Sequence, residues 1–143
     1  MKLSAKAEYA CVAMAELAIR HQRNLPTSLK VIAETYRISQ PFLMQIFMQL
    51  KGARLVQSMR GSTGGYQLVR PPEEIKLLDI VDVIDGPARE SSALDALPDT
   101  ALMRTLRKTW KEMQRAERQV LEDITLADLV LRTRLTSSLD FQI

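Results

Sequence analysis

Three of the chain's five glycines, Gly61, Gly64 and Gly65, fall within five residues of one another in the stretch "MRGSTGGYQL", directly after Arg60. Short runs of extended character flank them, "RLVQSMR" before and "YQLVR" after, and Pro71-Pro72 stops the second run. Two such runs joined by a glycine-rich tip predict a β-hairpin. Glycine accepts positive φ, so this tip turns sharply and can come very close to another surface. The hairpin's context narrows the fold further, because three capped helical segments precede it.

Ser4 is placed to cap a first helix running to about His21, with Ala10, Ala13, Met14, Leu17 and Ala18 on its apolar face. After the break "RNLPTS", Thr27 or Ser28 caps a second, short helix, "LKVIAETY", with Val31, Ile32 and Tyr36 facing inward. "RIS" is a tight link. Ser39 then caps a third helix, with Pro41 in its first turn, where a missing N–H costs nothing, and an end near Gly52. Its Leu43, Ile46, Phe47 and Leu50 stand at i, i+3, i+4 and i+7 and should pack on the first two helices. Helices in this order, followed by a hairpin, predict a mainly α chain with a small β-hairpin: a winged helix-turn-helix.

Beyond the hairpin, "EIKLLDIVDVIDGP" reads as a fourth helix ending at Gly86, and "ARESSALDALP" as loop with at most one turn. From about Asp99 to Asp123 lies the longest helical pattern, with Leu102, Leu106, Trp110, Met113, Val120 and Ile124 forming a stripe spaced by threes and fours. Met103, Trp110 and Met113 offer an alternative role, lining a small-molecule cavity between this helix and the winged domain. Thr125 caps a last short helix, "LADLVLR", and "LTSSLDFQI" reads as a loose tail. The organisation expected is a winged helix-turn-helix over residues 1–86, a linker and dimerisation helices over 87–132, and a C-terminal tail over 133–143.

The net charge of +3 is unevenly spread. Met1–Arg70 holds ten Lys/Arg against three Asp/Glu, and Pro71–Ile143 holds ten against fourteen. A basic first half and an acidic second half suggest that the first half meets a polyanion. In a winged helix-turn-helix the third helix enters the major groove of double-stranded DNA and the wing reaches an adjacent groove or the backbone. Arg60, beside Gly61, Gly64 and Gly65, suits a narrow, A·T-rich minor groove. The outer side of the third helix carries Gln40, Pro41, Met44, Gln45, Met48 and Gln49. Gln45 can bond adenine, and Met44 and Met48 can lie against thymine methyls. Because Lys51 is the helix's only charge, phosphate grip falls to Lys2, Lys6, Lys30, Arg54 and Arg60, helped by helix-start N–H groups behind Ser4, Ser28 and Ser39.

Several classes are disfavoured. No uninterrupted apolar run approaches bilayer length, so no membrane span is expected. The start, "MKLSAKAEYACVAMAELA", carries Glu8 and Glu16 at helical spacing and reads as a mature helix rather than a signal peptide. One cysteine, Cys11, makes no internal disulfide and no multi-cysteine metal site, which fits the cytoplasm, and burial on an apolar face argues against a redox switch. His21, the only histidine, sits at a helix end beside Arg20, and no nucleophile–base–orienter set is legible, so the chain is not read as an enzyme.

The segments "MKLSAKAEYACVAMAELA", "PTSLKVIAETYRISQPFLMQIFMQLKGARLVQSMRGSTGGYQL", "RPPEEIKLLDIVDVIDGP" and "TLADL" together resemble the bacterial Rrf2 regulators over roughly residues 1–130. The wing "LVxSxRGxxGGYxL" is the specific signature. The resemblance implies a homodimeric winged-helix transcription factor, usually a repressor, dimerising through the long helix after the wing, a role the stripe from Leu102 to Ile124 fits. Many relatives hold an iron–sulfur cluster through three cysteines just before that helix. Here the region reads "DGPARESSALDALPDTALM", with none, so a cluster-free member with no cofactor is expected. Met44 stands where a glutamate is common, Glu8 at a usually basic site, and Arg37 where the helix-turn link often has glycine. The ending "LDFQI" resembles that of the cluster-free cysteine-metabolism members, which complex with cysteine synthase. On that resemblance Phe141, Gln142 and Ile143 can form a peptide ligand for that enzyme; a fraying end and a strap across the protein's own dimer are the other readings of the tail. The alternative is a protein-interaction adaptor that kept the wing but binds DNA weakly or without specificity.

Overall fold

A computed structural model describes residues 2–61, 64–87 and 92–142. Helix α1 spans Ala5–His21, and the Ser4 hydroxyl caps it by accepting the Ala7 N–H. Helix α2, Leu29–Tyr36, is capped by Ser28 rather than Thr27, and α3, Gln40–Gly52, by Ser39 with Pro41 in its first turn. Each cap satisfies an N–H that the helix itself leaves open. Arg37 turns the chain between α2 and α3 with a left-handed backbone, φ 55°. Lacking glycine there costs on the order of 1 kcal/mol.

The apolar faces expected of α1 and α3 are the faces that are buried. Ala10, Ala13, Met14, Leu17 and Ala18 of α1 and Leu43, Ile46, Phe47 and Leu50 of α3 lie within one core with Ile32, Leu55, Val56, Leu68, Ile75 and Ile80. Tyr36 departs from the expectation. It is the last residue of α2, immediately before the left-handed turn, and its ring stays 40% exposed. Its hydroxyl donates to Glu16 on α1 at 2.6 Å.

Strands β1, Val56–Met59, and β2, Gly65–Leu68, form the antiparallel hairpin, in register from Val56 opposite Leu68 to Met59 opposite Gly65. A single 3₁₀ turn at Pro72–Glu74 precedes helix α4, Leu77–Asp85, so the fourth helix begins later than its sequence pattern suggests. A second 3₁₀ turn, Ala93–Ala96, is the one turn expected of the loop. Helix α5, Ala101–Asp123, is capped by Thr100.

The last helix is longer than expected. α6 runs from Leu126 through Gln142, so the backbone of the region read as a loose tail is helical. Thr125 and Asp128 cap its start reciprocally. Leu126 and Val130 are buried, but residues 131–139 are exposed throughout. α1 is the central element, touching α3, α4, α6 and β2. α5 touches α4. Two main-chain bonds, Leu77 N–H to Ile124 and Leu126 N–H to Ile75, close its C-terminal end onto the core, and Arg118 grips Asp82 with two bonds of 3.1 Å.

Candidate nucleic-acid interface

The hairpin is anchored by four contacts. Thr27 and Tyr66 exchange backbone bonds of 3.0 and 2.8 Å, which adds a third segment beside β2. The Tyr66 ring meets Phe47 of α3 with centroids 4.6 Å apart. Lys51 at the end of α3 donates to Ser58 of β1 at 3.0 Å, and Gln67 donates to the Asn24 carbonyl at 3.1 Å. Helix and wing are thereby fixed relative to each other, which two surfaces that must engage one rigid duplex require. Tyr66 and Thr27 do this, and neither stood out in the sequence. The signal for them was the tyrosine directly after "GG".

Gly65 is the residue that permits the bridge. A Cβ there would lie 2.4 Å from the Thr27 carbonyl oxygen, and its φ is +157°. At the tip, Gly61 takes φ +114° and its carbonyl accepts the Gly64 N–H at 3.0 Å. Arg60 stands exposed at this tip.

On α3, Gln40, Pro41, Gln45, Met44 and Met48 are exposed, the two methionines by 44% and 65%. Gln49 lies half-buried at the rim of that face. Lys2, Lys30 and Arg54 are exposed and Lys6 half-exposed. None of these four, nor Arg60, pairs with a carboxylate among the described residues. Arg54 holds a left-handed backbone, φ 61°, at the turn from α3 into the wing. The three helix starts differ. Ser28 and Ser39 cap with their hydroxyls alone, whereas Ser4 also donates its hydroxyl to Asp85 Oδ1, and its N–H donates to Asp85 Oδ2 at 3.2 Å. A carboxylate thus stands beside the cap of α1.

Cys11 is half-buried on α1. Burial, then the nearby Asp85 and Glu8 charges, pushes its thiol up to about 11. On α5 the apolar stripe has no cover: Leu102, Trp110, Met113 and Val120 are all exposed, and Leu106 and Ile124 are half-exposed. Trp110 and Met113 do line a groove of about 640 Å³, together with Asp95, Arg107 and Lys111. It lies between α5 and the 93–96 turn, not against the winged domain, and Met103 takes no part in it. Ile143 lies outside the described residues, as do the side chains of Phe141 and Gln142.

A family model described as "Rrf2: Iron-dependent Transcriptional regulator" matches residues 3–132. The chain is 39% identical to the HTH-type transcriptional regulator CymR of Bacillus subtilis over 133 residues, covering 93% of this chain and 92% of that one. It is 41% identical over 86 residues to the regulator IscR of Cereibacter sphaeroides, covering 59% and 56% of the two chains. Among solved structures, that of CymR, "the Global Cysteine Regulator of B. subtilis", superposes with a TM-score of 0.81 at 36% identity over 92% of this chain and 98% of that one. The IscR of T. potens superposes with a TM-score of 0.75 at 36% identity, over 93% and 88%. The iron dependence in the family's description finds no donor set among the described residues. The chain's single cysteine and single histidine both lie on α1, and no group of three or more His, Cys, Asp or Glu among the described residues is arranged to hold a metal. No helix among them is long and apolar enough to cross a membrane.

Proposed function

Because the chain belongs to the Rrf2 family of transcriptional regulators, and is CymR-like rather than an enzyme, we propose that it acts as a homodimeric repressor on double-stranded DNA. Residues 1–86 form the DNA-binding unit, 87–132 the linker and dimerisation helices, and 133–143 a tail. The observation that carries the reading is the pairing of an outward Gln/Met face on α3 with an exposed Arg60 on a wing locked to the same helix. α3 lies in the major groove, with Gln40, Pro41, Met44, Gln45 and Met48 toward the bases. Arg60, with Gly61, Gly64 and Gly65 beside it, enters the neighbouring minor groove. Lys2, Lys6, Lys30, Arg54 and the N–H groups behind Ser28 and Ser39 take phosphates.

Dimerisation is supported by the exposed stripe of α5. Leaving Leu102, Trp110, Met113 and Val120 in water forfeits about 25 cal/mol for each Å² that a partner would cover. A second copy placing the same stripe against it gives an isologous, two-fold interface. Two copies of the five basic residues provide up to ten phosphate contacts, so log affinity should fall with log salt at a slope of up to about −9. Arg60→Ala should flatten that slope by about one for each phosphate the arginine neutralises. A slope near zero in wild type would favour the adaptor reading.

The relation to CymR supports a role in cysteine or sulfur metabolism. The likeness of the ending "LDFQI" to that of the cysteine-metabolism members supports the tail residues Phe141, Gln142 and Ile143 as a ligand for cysteine synthase, following a helical stretch, 131–139, that is exposed. Deleting the last four residues should abolish binding to that enzyme while leaving DNA affinity intact. Unchanged binding removes the partner.

A further inference from the structure

α3 is thirteen residues long and carries one charged side chain, Lys51, which sits in its last turn and is engaged with Ser58. In the major groove, guanine is read by Arg or Lys through O6 and N7, and cytosine by a carboxylate that accepts from N4. α3 has no Arg, Asp or Glu. Its outer face offers Gln40 and Gln45, whose amides match adenine N6 and N7, and the thioether side chains of Met44 and Met48. The methionines are four residues apart, so they lie one above the other on the helix, and they are exposed while Leu43, Ile46, Phe47 and Leu50 fill the core side. The 5-methyl of thymine is the one apolar group that the major groove presents.

Resting on the DNA-binding reading above, we propose that Met44 and Met48 select thymine by packing against its 5-methyl group, with Gln45 bonding a neighbouring adenine. Each protomer then reads a short A·T segment and rejects G·C, where the methionines meet polar base edges left without partners. Arg60 reinforces the choice from the wing, since A·T tracts narrow the minor groove and deepen its negative potential.

The test begins with selection of a binding duplex from a random-sequence library. That duplex is then remade with deoxyuridine in place of thymidine, which deletes the methyl groups and leaves base pairing unchanged. The expected result is T·A pairs enriched at adjacent positions in each half-site. Affinity for the deoxyuridine duplex should fall about fourfold per contacted methyl, or roughly fifteenfold for the two in a half-site. A Met44→Ala, Met48→Ala double variant should bind the thymidine duplex more weakly and no longer distinguish it from the deoxyuridine duplex. Equal wild-type affinity for the two duplexes overturns the inference, as does a double variant that still distinguishes them. In either case salt-sensitive DNA binding would stand. If no duplex in the library is bound in a salt-sensitive way, the DNA-binding reading falls and this inference with it.

Discussion

Replacing Gly65 by alanine should damage this protein more than its position on a surface hairpin suggests. The added Cβ would sit 2.4 Å from the Thr27 carbonyl oxygen, 2.5 Å from its carbon and 2.8 Å from the Ser28 nitrogen. All three are backbone atoms, so no side chain can swing aside. Ordinary contact lies near ~3.5 Å, which requires wing and loop to part by about 1 Å. The two Thr27–Tyr66 bonds, now 3.0 and 2.8 Å, would then exceed hydrogen-bond length. Losing them costs about 1 kcal/mol each, and the Phe47–Tyr66 ring contact adds about another. Holding alanine at φ +157° adds on the order of 1 kcal/mol more.

The total is about 4 kcal/mol, a large part of a domain's ~5–15 kcal/mol. At this chain length it corresponds to a fall in Tm of about 10 °C. Thermal unfolding followed by circular dichroism measures it, at one fixed protein concentration because the proposed dimerisation would make Tm concentration-dependent. Gly52→Ala is the control. Nothing lies within 4 Å of a Cβ there and its φ is not positive, so Tm should hold or rise slightly. A Gly65→Ala protein within about 1 kcal/mol of wild type would refute the claim that the bridge to Thr27 holds the wing in place.

Trp110 is the chain's only tryptophan and lies 41% exposed on α5, so its emission should move to shorter wavelength as protein concentration crosses the dimer dissociation constant. Val120→Asp should sediment as a monomer, and a variant sedimenting as wild type does would exclude α5 as the seam. With its thiol held up to about 11 by burial, Cys11 should be only about 10⁻⁴ thiolate at pH 7. Its alkylation rate should keep climbing through pH 10, and a plateau below pH 9 would contradict the burial. Tyr36→Phe removes the 2.6 Å bond to Glu16 and should cost about 1 kcal/mol by urea denaturation, discounted for the half-exposed ring. Burial, then the bond to Glu16, raises the Tyr36 hydroxyl from 10.0 to about 12. The folded state holds this proton more tightly, so its stabilisation is complete below pH 10 and lost as pH rises toward 12. The Phe variant should lack that alkaline loss, and identical high-pH stability profiles for the two proteins would sink the assignment.

The winged domain was legible because its cues are local. Ser4, Ser28 and Ser39 cap within three residues of themselves, and the apolar period of α1 and α3 states which side is buried. Contacts between distant segments leave no such trace. The Thr27–Tyr66 bridge joins residues thirty-nine apart, and the Ser4–Asp85 contact joins residues eighty-one apart. Tyr36 misled because helical phase stops having meaning where Arg37 turns left-handed. In α6, threonines and serines suggested a frayed end. Yet the Thr133 and Thr136 hydroxyls bond back to the Leu129 and Arg132 carbonyls at 2.7 and 2.9 Å, inside the helix, and Leu131, Leu135 and Leu139 recur every fourth residue.

The placement of charge bears directly on how such a protein discriminates. Counterion release rewards any sequence equally, so cations on the reading helix would strengthen every competing site along with the correct one. α3 keeps its single cation in the last turn, tied to Ser58, and leaves its outer face neutral. The cations proposed to grip phosphate sit on other elements, at Lys2, Lys6, Lys30, Arg54 and Arg60. Asp85 takes the Ser4 hydroxyl and N–H, which sets a negative charge beside the start of α1. On the proposed reading, an uncharged reading face leaves the choice of site to contacts that only the right base pairs can complete.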